Sequence, residues 1–184
     1  MTAMLKIDRL SKTYNNGTVA LREVSLTVEP GEFVVVLGKS GSGKSTLMRC
    51  INRLVEPSSG SIFLDGEEVT GASPTRLREL RKKTGMIFQQ YNLIPRYSVQ
   101  SNALMGRLAS ISSVASMMNC FLGEDVARSR QVLDRLGLAD KCSHSSEELS
   151  GGQQQRVGLA RAFMQGAELI LADEPGSSLD PASS

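Results

Sequence analysis

Apolar and polar residues alternate in the first part of the chain, at residues 5–8 and again at residues 24–28. A period of two is typical of a β-strand that buries one face and exposes the other. A third apolar run, at residues 62–64, is followed by Asp65-Gly66, a pair that favours a hairpin turn. The pattern therefore predicts a β-rich beginning with a hairpin after its third strand.

Two apolar runs lack this alternation, at residues 33–37 and 169–172. Such runs are typical of strands covered on both faces, as in the parallel sheet of an α/β protein. A Gly-rich loop and an apolar helical stripe at residues 47–54 follow the first run, and Pro57 limits that helix. We therefore expect a strand–loop–helix core and a second fully buried strand late in the chain.

The stretch from residue 91 to residue 148 has apolar residues at spacings of three and four, which predicts helices. One apolar helical stripe covers residues 104–115, and a further stripe covers residues 157–164. Between them, another stripe ends just before Gly137, which is predicted to be the C-cap of that helix. The order of elements predicts an α/β core with an inserted helical lobe.

Composition narrows the class of protein without naming a function. The chain of 184 residues has a formal net charge of +2, which is too small to indicate nucleic-acid binding by bulk electrostatics. Its three cysteines form no CxxC pair, so neither a disulfide framework nor a zinc site is indicated. The longest apolar run is far shorter than the roughly 20 residues of a membrane span, and the charged N-terminus does not fit a secretory signal.

A glycine-rich segment, GKSGSGKS at residues 38–45, fits the pattern GxxxxGK[ST]. Main-chain N–H groups in such a loop form a nest for anions, and the helix that follows adds its partial positive charge. Lys44 supplies a mobile charge for the β- and γ-phosphates, and the Ser45 hydroxyl is a ligand for Mg²⁺. The alternative is a structural turn, which needs neither the lysine nor the hydroxyl.

Two carboxylates, Asp173 and Glu174, end the second unalternating run. The C-terminal end of a parallel strand is where such folds bind ligands, so Asp173 would hold Mg²⁺ through water and Glu174 would polarise the attacking water. Solvated loop carboxylates are the alternative. In LSGGQQQR, Ser150 is a good N-cap and the bare amides of Gly151 and Gly152 could approach a phosphate, although a simply capped helix fits equally well.

LSGGQQQR resembles the signature motif of the ABC-transporter ATPases, and it follows the phosphate loop in the order that this family uses. Tyr14 in SKTYNNG resembles the aromatic residue that stacks on adenine, and Gln89 in GMIFQQYNL resembles the glutamine that senses Mg²⁺ and the attacking water. The segment from Ser178 to Asp180 resembles the loop that crosses the dimer interface.

The resemblance implies a P-loop NTPase (RecA-like) α/β core with an N-terminal antiparallel β subdomain, an inserted α-helical lobe and a missing C-terminal part of the core. The expected parts of the single domain, 1–184, are the β subdomain with the phosphate-loop core at 1–90, the helical lobe with the signature at 91–150, and the return to the core at 151–184.

The family also implies the ligands and partners. ATP and Mg²⁺ bind between two copies that face each other head to tail, with ATP between the phosphate loop of one copy and the signature of the other. Transmembrane permease subunits, and indirectly a solute-binding protein, complete the assembly at the cytoplasmic face of the inner membrane, with no role for nucleic acid. The residues assigned to ATP are Tyr14, Gly38, Ser40, Gly41, Gly43, Lys44, Ser45, Thr46, Ser150, Gly151, Gly152, Gln153 and Asp180. Ser45, Gln89 and Asp173 are assigned to the metal, and Glu174, Gln89 and Lys44 to catalysis.

Within the family, CINRLVEPSSG, IFQQYNLIPRYSV and NALMGRLA are most similar to the ATP-binding subunits of phosphonate importers. Nucleotide motifs carry no information on the solute, so an ATPase of a polar amino-acid importer remains an alternative. Two further alternatives are a soluble ABC ATPase that acts on DNA or in translation, and a truncated nucleotide-binding protein with impaired catalysis.

Two departures from the family pattern bear on turnover. The chain ends four residues after Asp180, where family members continue with a strand-rich segment and a γ-phosphate histidine, whereas its only histidine, His144, precedes the signature. Gly176 stands where the family usually has a larger residue. From the sequence we therefore expect ATP binding with poor turnover.

Overall fold

The computed structural model describes residues 3–89, 91–111 and 121–173. The chain divides into two compact units, residues 1–81 and residues 82–184.

The first unit contains an antiparallel sheet of four strands in the order β2-β1-β3-β4. The strands are β1 (Leu5–Thr13), β2 (Val19–Val28), β3 (Ser59–Leu64) and β4 (Glu67–Glu68). In β1 and β2 the buried and exposed positions broadly follow the alternation in the sequence. The predicted β-rich beginning is therefore confirmed.

The turn between β3 and β4 has the conformation that its residues favour. Asp65 and Gly66 have φ values of 50° and 77°, so both occupy the left-handed region. Two consecutive positive φ values define the tight hairpin turn that matches the twist of antiparallel strands. The predicted hairpin is confirmed.

The apolar run at residues 33–37 is described without regular secondary structure, so the predicted central strand is wrong here. Phe33 and Leu37 are 89% and 88% exposed. A strand is defined by hydrogen bonds to a neighbour, and no strand among the described residues pairs with this run. An apolar composition supplies the side chains for burial, but it does not supply the partner.

Two helices complete the first unit, α1 (Lys44–Ile51) and α2 (Pro74–Lys82). Leu47, Cys50 and Ile51 form the buried face of α1, as the apolar stripe predicts. The helix ends at Ile51, well before Pro57, so Leu54 lies outside it and is half exposed.

A parallel pair of strands, β5 (Thr84–Ile87) and β6 (Leu169–Ala172), lies in the second unit. The late apolar run is therefore a strand in a parallel pair, as predicted. Its predicted full burial is wrong, because Ile170 is 39% exposed. In a two-stranded sheet, one face of the pair can remain open.

Three α-helices of the second unit share one apolar core: α3 (Val99–Leu104), α4 (Gly123–Arg135) and α5 (Gly151–Gln165). Gly137 follows α4 with a φ of 67° and donates its N–H to Asp134 O at 2.9 Å, so the predicted C-cap region is confirmed. The predicted helical stripe at 104–115 is wrong in extent. The α-helix ends at Leu104, a 3-10 turn occupies Met105–Arg107, and residues 112–115 lie outside the described residues.

The chain lies very close to α5 just after this end. A Cβ on Gly106 would lie 2.1 Å from Arg161 O, so the chain passes directly against α5 at this point. Within the described residues, no helix is long and apolar enough to span a bilayer.

Candidate nucleotide-binding site

The phosphate-loop segment leads directly into α1, and glycine conformations shape it. Gly41 and Gly43 have φ values of 77° and 95°, and Gly43 is the N-cap of α1. A Cβ on Gly43 would lie 2.3 Å from Ala20 O, so only glycine fits both the backbone angle and the space. The loop can therefore lie close to β2 while it opens the helix.

Lys44 lies with its ammonium against the main chain of the loop. Its Nζ donates hydrogen bonds to Gly38 O at 2.9 Å and to Lys39 O at 3.2 Å. The first turn of α1 contains no acidic residue, so no side chain there neutralises the positive end of the helix dipole. A cationic side chain, a helix N-terminus and glycine-rich backbone together fit a polyanionic phosphate chain.

Tyr14 lies beside the first turn of α1. The hydroxyls of Tyr14 and Thr46 share a hydrogen bond of 3.2 Å. Lys12 Nζ lies 5.2 Å from the centroid of the Tyr14 ring, a cation–π distance, and also donates to Glu56 O at 2.6 Å. The residue expected to support adenine is thus held close to the phosphate-loop helix.

Cys50, on the buried face of α1, is a packing residue. It is fully buried, and burial raises the pKa of its thiol from 9.0 to about 11. At neutral pH the thiol is therefore protonated and a poor nucleophile.

In the second unit, Gln89 and Asp173 follow the same edge of the parallel pair. Ile87 at the end of β5 is in register with Ala172 at the end of β6, and Asp173 N donates to Ile87 O at 3.0 Å. Asp173 is only 4% exposed, whereas Gln89 is exposed. A buried carboxylate at the carboxyl end of a parallel strand matches the usual position of a ligand site in α/β folds. Glu174 and Asp180 lie outside the described residues.

The signature segment begins α5 with a capping box. Ser150 Oγ accepts a hydrogen bond from Gln153 N at 3.3 Å, and Gln153 Oε1 accepts one from Ser150 N at 3.0 Å. The predicted N-cap is confirmed. Because capping uses only one acceptor site of the hydroxyl, its O–H can still donate to a phosphate oxygen. Gly151 and Gly152 form the first helical turn, which contains no acidic residue.

Two polar side chains that contact each other, the buried Asn102 and the partly buried Arg161, are absent from the sequence-based prediction. Asn102 is fully buried, and Arg161 donates to both its side chain and its main chain. The spacing offered a signal for Asn102, because it shares the helix face of buried Val99 and Ala103. The sequence offered no comparable signal for Arg161.

Among the described residues, no group of three or more His, Cys, Asp or Glu side chains could hold a metal. A Mg²⁺ ion that binds together with a nucleotide does not need such a cluster, because phosphate and water oxygens complete its octahedron. Taken separately, the Ser45 hydroxyl in the first unit and the Gln89 amide and Asp173 carboxylate in the second are hard oxygen donors of the kind that Mg²⁺ prefers.

The class of P-loop nucleotide-binding proteins is defined by two features that are both present here. One is a phosphate loop that leads into the N-terminus of a helix, and the other is a parallel strand that is followed by a buried aspartate. Within this class, residues 21–177 match the family model described as ABC transporter. The chain therefore belongs to the ABC transporter family, and the P-loop fold inferred from its motifs is confirmed.

Curated relatives narrow the similarity further. The phosphonates import ATP-binding protein PhnC of Bdellovibrio bacteriovorus is 52% identical over 180 residues, which are 97% of this chain and 69% of the relative. The protein of the same name from Lactobacillus acidophilus is 50% identical over 181 residues, which are 98% of this chain and 70% of the relative. The resemblance to phosphonate-importer subunits is confirmed in sequence.

Solved structures show the same fold. The dimeric structure of MJ0796, a bacterial ABC transporter cassette, has a TM-score of 0.82 and 33% identity, and the match covers 97% of this chain and 77% of that one. A nucleotide-free ATP-binding cassette from an ABC transporter also has a TM-score of 0.82, at 26% identity, with 99% and 72% covered.

Proposed function

We propose that this chain is the ATP-binding and ATP-hydrolysing subunit of an ABC importer for phosphonate or a related phosphorus oxyanion. The observation that carries the proposal is the loop at residues 38–45, where Lys44 Nζ lies against loop carbonyls at the start of α1, whose first turn contains no acidic residue. The solute class is supported by the identity to phosphonates import ATP-binding proteins over nearly the whole chain.

In this function, each group has a role that its chemistry fits. Lys44 and the loop amides bind the β- and γ-phosphates, and Tyr14 supports the adenine ring. Ser45, Gln89 and Asp173 would hold Mg²⁺, which would neutralise phosphate charge. Glu174 accepts a proton from the water that attacks the γ-phosphorus, and the bond to the bridging oxygen of ADP breaks, so that ADP and inorganic phosphate leave.

A second copy of the chain would complete each nucleotide site. Ser150 and Gly152 of one copy would contact the γ-phosphate of ATP held by the phosphate loop of the other, with Asp180 at the interface. A solved relative described as a dimeric ABC transporter cassette supports this arrangement. Transmembrane permease subunits, and through them a solute-binding protein, are the further partners at the cytoplasmic face of the inner membrane.

Phosphate release from Mg-ATP by the purified chain tests the catalytic part of the proposal. We expect measurable turnover in the wild type and a fall of about 100-fold or more in Glu174→Gln, with unchanged ATP affinity, because a general base contributes roughly 10²–10⁴-fold. Glu168→Gln, which changes an exposed carboxylate of the same unit, is the matched control. Equal turnover in Glu174→Gln and wild type would contradict the assignment, and ATP binding without turnover in either would favour the impaired nucleotide binder.

The identity of the transported solute can be tested by the growth of cells that depend on this ATPase. Cells whose only copy of this ATPase is the wild-type chain, supplied with its cognate permease, should take up a phosphonate as sole phosphorus source. The Lys44→Ala chain should not support this growth. Uptake of a polar amino acid instead of a phosphonate would identify the alternative importer.

A further inference from the structure

The side chain of Asn102 is buried at the centre of a polar network in the second unit. Its Nδ2 donates to Ile94 O at 3.0 Å and to Ser146 Oγ at 3.1 Å, and its Oδ1 accepts from Ile94 N at 2.9 Å. Nδ2 also lies within hydrogen-bond distance of Tyr97 O and Ser98 O. One amide therefore holds both the chain that follows β5 and the segment that precedes Ser150.

Arg161, on α5, extends this network with its planar guanidinium. Nε donates to Asn102 O at 3.2 Å, Nη2 to Asn102 Oδ1 at 3.1 Å, and Nη1 to Asn92 O at 3.0 Å. All three acceptors are neutral oxygens, and desolvation by burial lowers the pKa of Arg161. Desolvation of a charge is costly, and hydrogen bonds to neutral oxygens offset only part of that cost, so these contacts are better explained by the geometry that they fix than by a gain in stability.

The main chain contacted by Arg161 belongs to a left-handed turn, in which Tyr91 and Asn92 have φ values of 55° and 46°. Asparagine adopts this region readily, whereas a bulky residue such as Tyr91 is strained there. Tyr91 is buried, and a Cβ on Gly158 of α5 would lie 4.0 Å from Tyr91 Cβ. A strained turn persists where its surroundings over-determine it, and this one begins two residues after Gln89.

We propose that Arg161 and Asn102 are positioning residues for Gln89. Together they tie the left-handed turn after Gln89 to α5, the helix that begins at Ser150. Through this network, the segment that follows Gln89 and helix α5 move together as one rigid unit. This inference rests on the proposed ATPase function, because it assigns Gln89 to the metal and the attacking water.

Steady-state kinetics of the full chain test the positioning role. Arg161→Met keeps the unbranched stem but removes the fork, and we expect kcat to fall about 10- to 100-fold because small misplacements of a reacting group have effects of that size. KM for ATP should stay within about twofold, since the phosphate loop is untouched. Arg161→Lys reaches fewer acceptors and should lose less. Arg128→Met, at an exposed position of α4, is the control and should match the wild type.

The double variant separates positioning from general destabilisation. If Arg161 acts through Gln89, then Gln89→Ala combined with Arg161→Met should turn over ATP as slowly as Gln89→Ala alone. Losses that multiply would overturn the proposal, as would a loss confined to KM.

Hydrogen exchange gives a readout that does not require turnover. Arg161→Met, or Arg161→Lys if the methionine variant does not fold, should accelerate exchange of amides at residues 91–98 at least tenfold, with β5 unchanged. Unchanged exchange at 91–98 overturns the proposal whatever the ATPase activity. A wild-type chain without turnover would instead reject the proposed function, and exchange would then decide alone whether α5 holds the turn.

Discussion

The ammonium of Lys44 is held by its own loop, because Gly38 O and Lys39 O both accept hydrogen bonds from Nζ. These carbonyls keep the charge close to the start of α1, where the helix dipole also favours an anion. A phosphate that enters the loop therefore meets a cation whose position is already restricted, which reduces the entropy lost on binding.

Replacement of Lys44 by alanine should weaken ATP binding by roughly 10- to 150-fold, since a hydrogen bond to a charged group contributes about 1.5–3 kcal/mol. Isothermal titration with Mg-ATP measures the effect. Lys39→Ala removes a positive charge from the same loop and is the matched control, with an expected change below about threefold. Similar losses in both variants would mean that net charge, and not the placement of Lys44, attracts the nucleotide.

Individual site residues differed in how far the sequence could reveal them. Lys44, Ser150 and Asp173 lie in short local patterns that follow directly from anion binding, helix capping and strand ends. Arg161 acts on Asn92 and Asn102, which lie 69 and 59 positions away in the chain. Such a contact forms only when the helices pack, so no local sequence pattern can predict it.

Gly43 joins the phosphate loop to α1, and its surroundings leave no room for a side chain. Alanine there would have to adopt a φ of 95° with its Cβ 2.3 Å from Ala20 O. Gly41 has a similar φ of 77°, but a Cβ on it would meet nothing within 4 Å. The two glycines therefore separate the cost of the backbone angle from the cost of the collision.

We expect Gly41→Ala to destabilise the chain by about 1 kcal/mol, from backbone strain alone. Gly43→Ala should cost about 2–4 kcal/mol, because displacement of β2 adds roughly 1–3 kcal/mol of overpacking. Thermal and denaturant unfolding measure both. Equal losses in the two variants would contradict the close approach of Gly43 to β2.

Strands and helices were predictable where the pattern is local. The alternation in β1, the Asp65-Gly66 turn and the cap at Gly137 all depend on neighbouring residues, and each is present in the structure. The conformation of residues 33–37 was not predictable in this way, because a strand also needs a pairing partner that the apolar run itself does not encode. Leu108 shows the same limit, since the α-helix ends before it and the chain lies close to α5 at Gly106, a contact that local spacing does not encode.

For the whole molecule, the proposed function requires ATP to join two copies of the chain through Ser150. The capping box complicates the usual alanine test, because Ser150→Ala would also remove the N-cap and cost about 1 kcal/mol of helix stability. Aspartate caps helices as well as serine does, but its carboxylate repels a triphosphate. Ser150→Asp therefore keeps the helix cap but replaces the favourable contact with phosphate by a repulsive one.

We expect the wild-type chain to shift from monomer to dimer in sedimentation velocity when Mg-ATP is added. The Glu174→Gln variant can be used in the same experiment to slow the loss of ATP by hydrolysis. Ser150→Asp should remain monomeric with ATP, while its thermal stability stays close to that of the wild type. Ser150→Asn, a neutral cap of similar size, should retain most of the dimer, because it adds no charge next to the phosphates. ATP-dependent dimerisation of Ser150→Asp would show that the start of α5 does not contact the nucleotide of the partner copy.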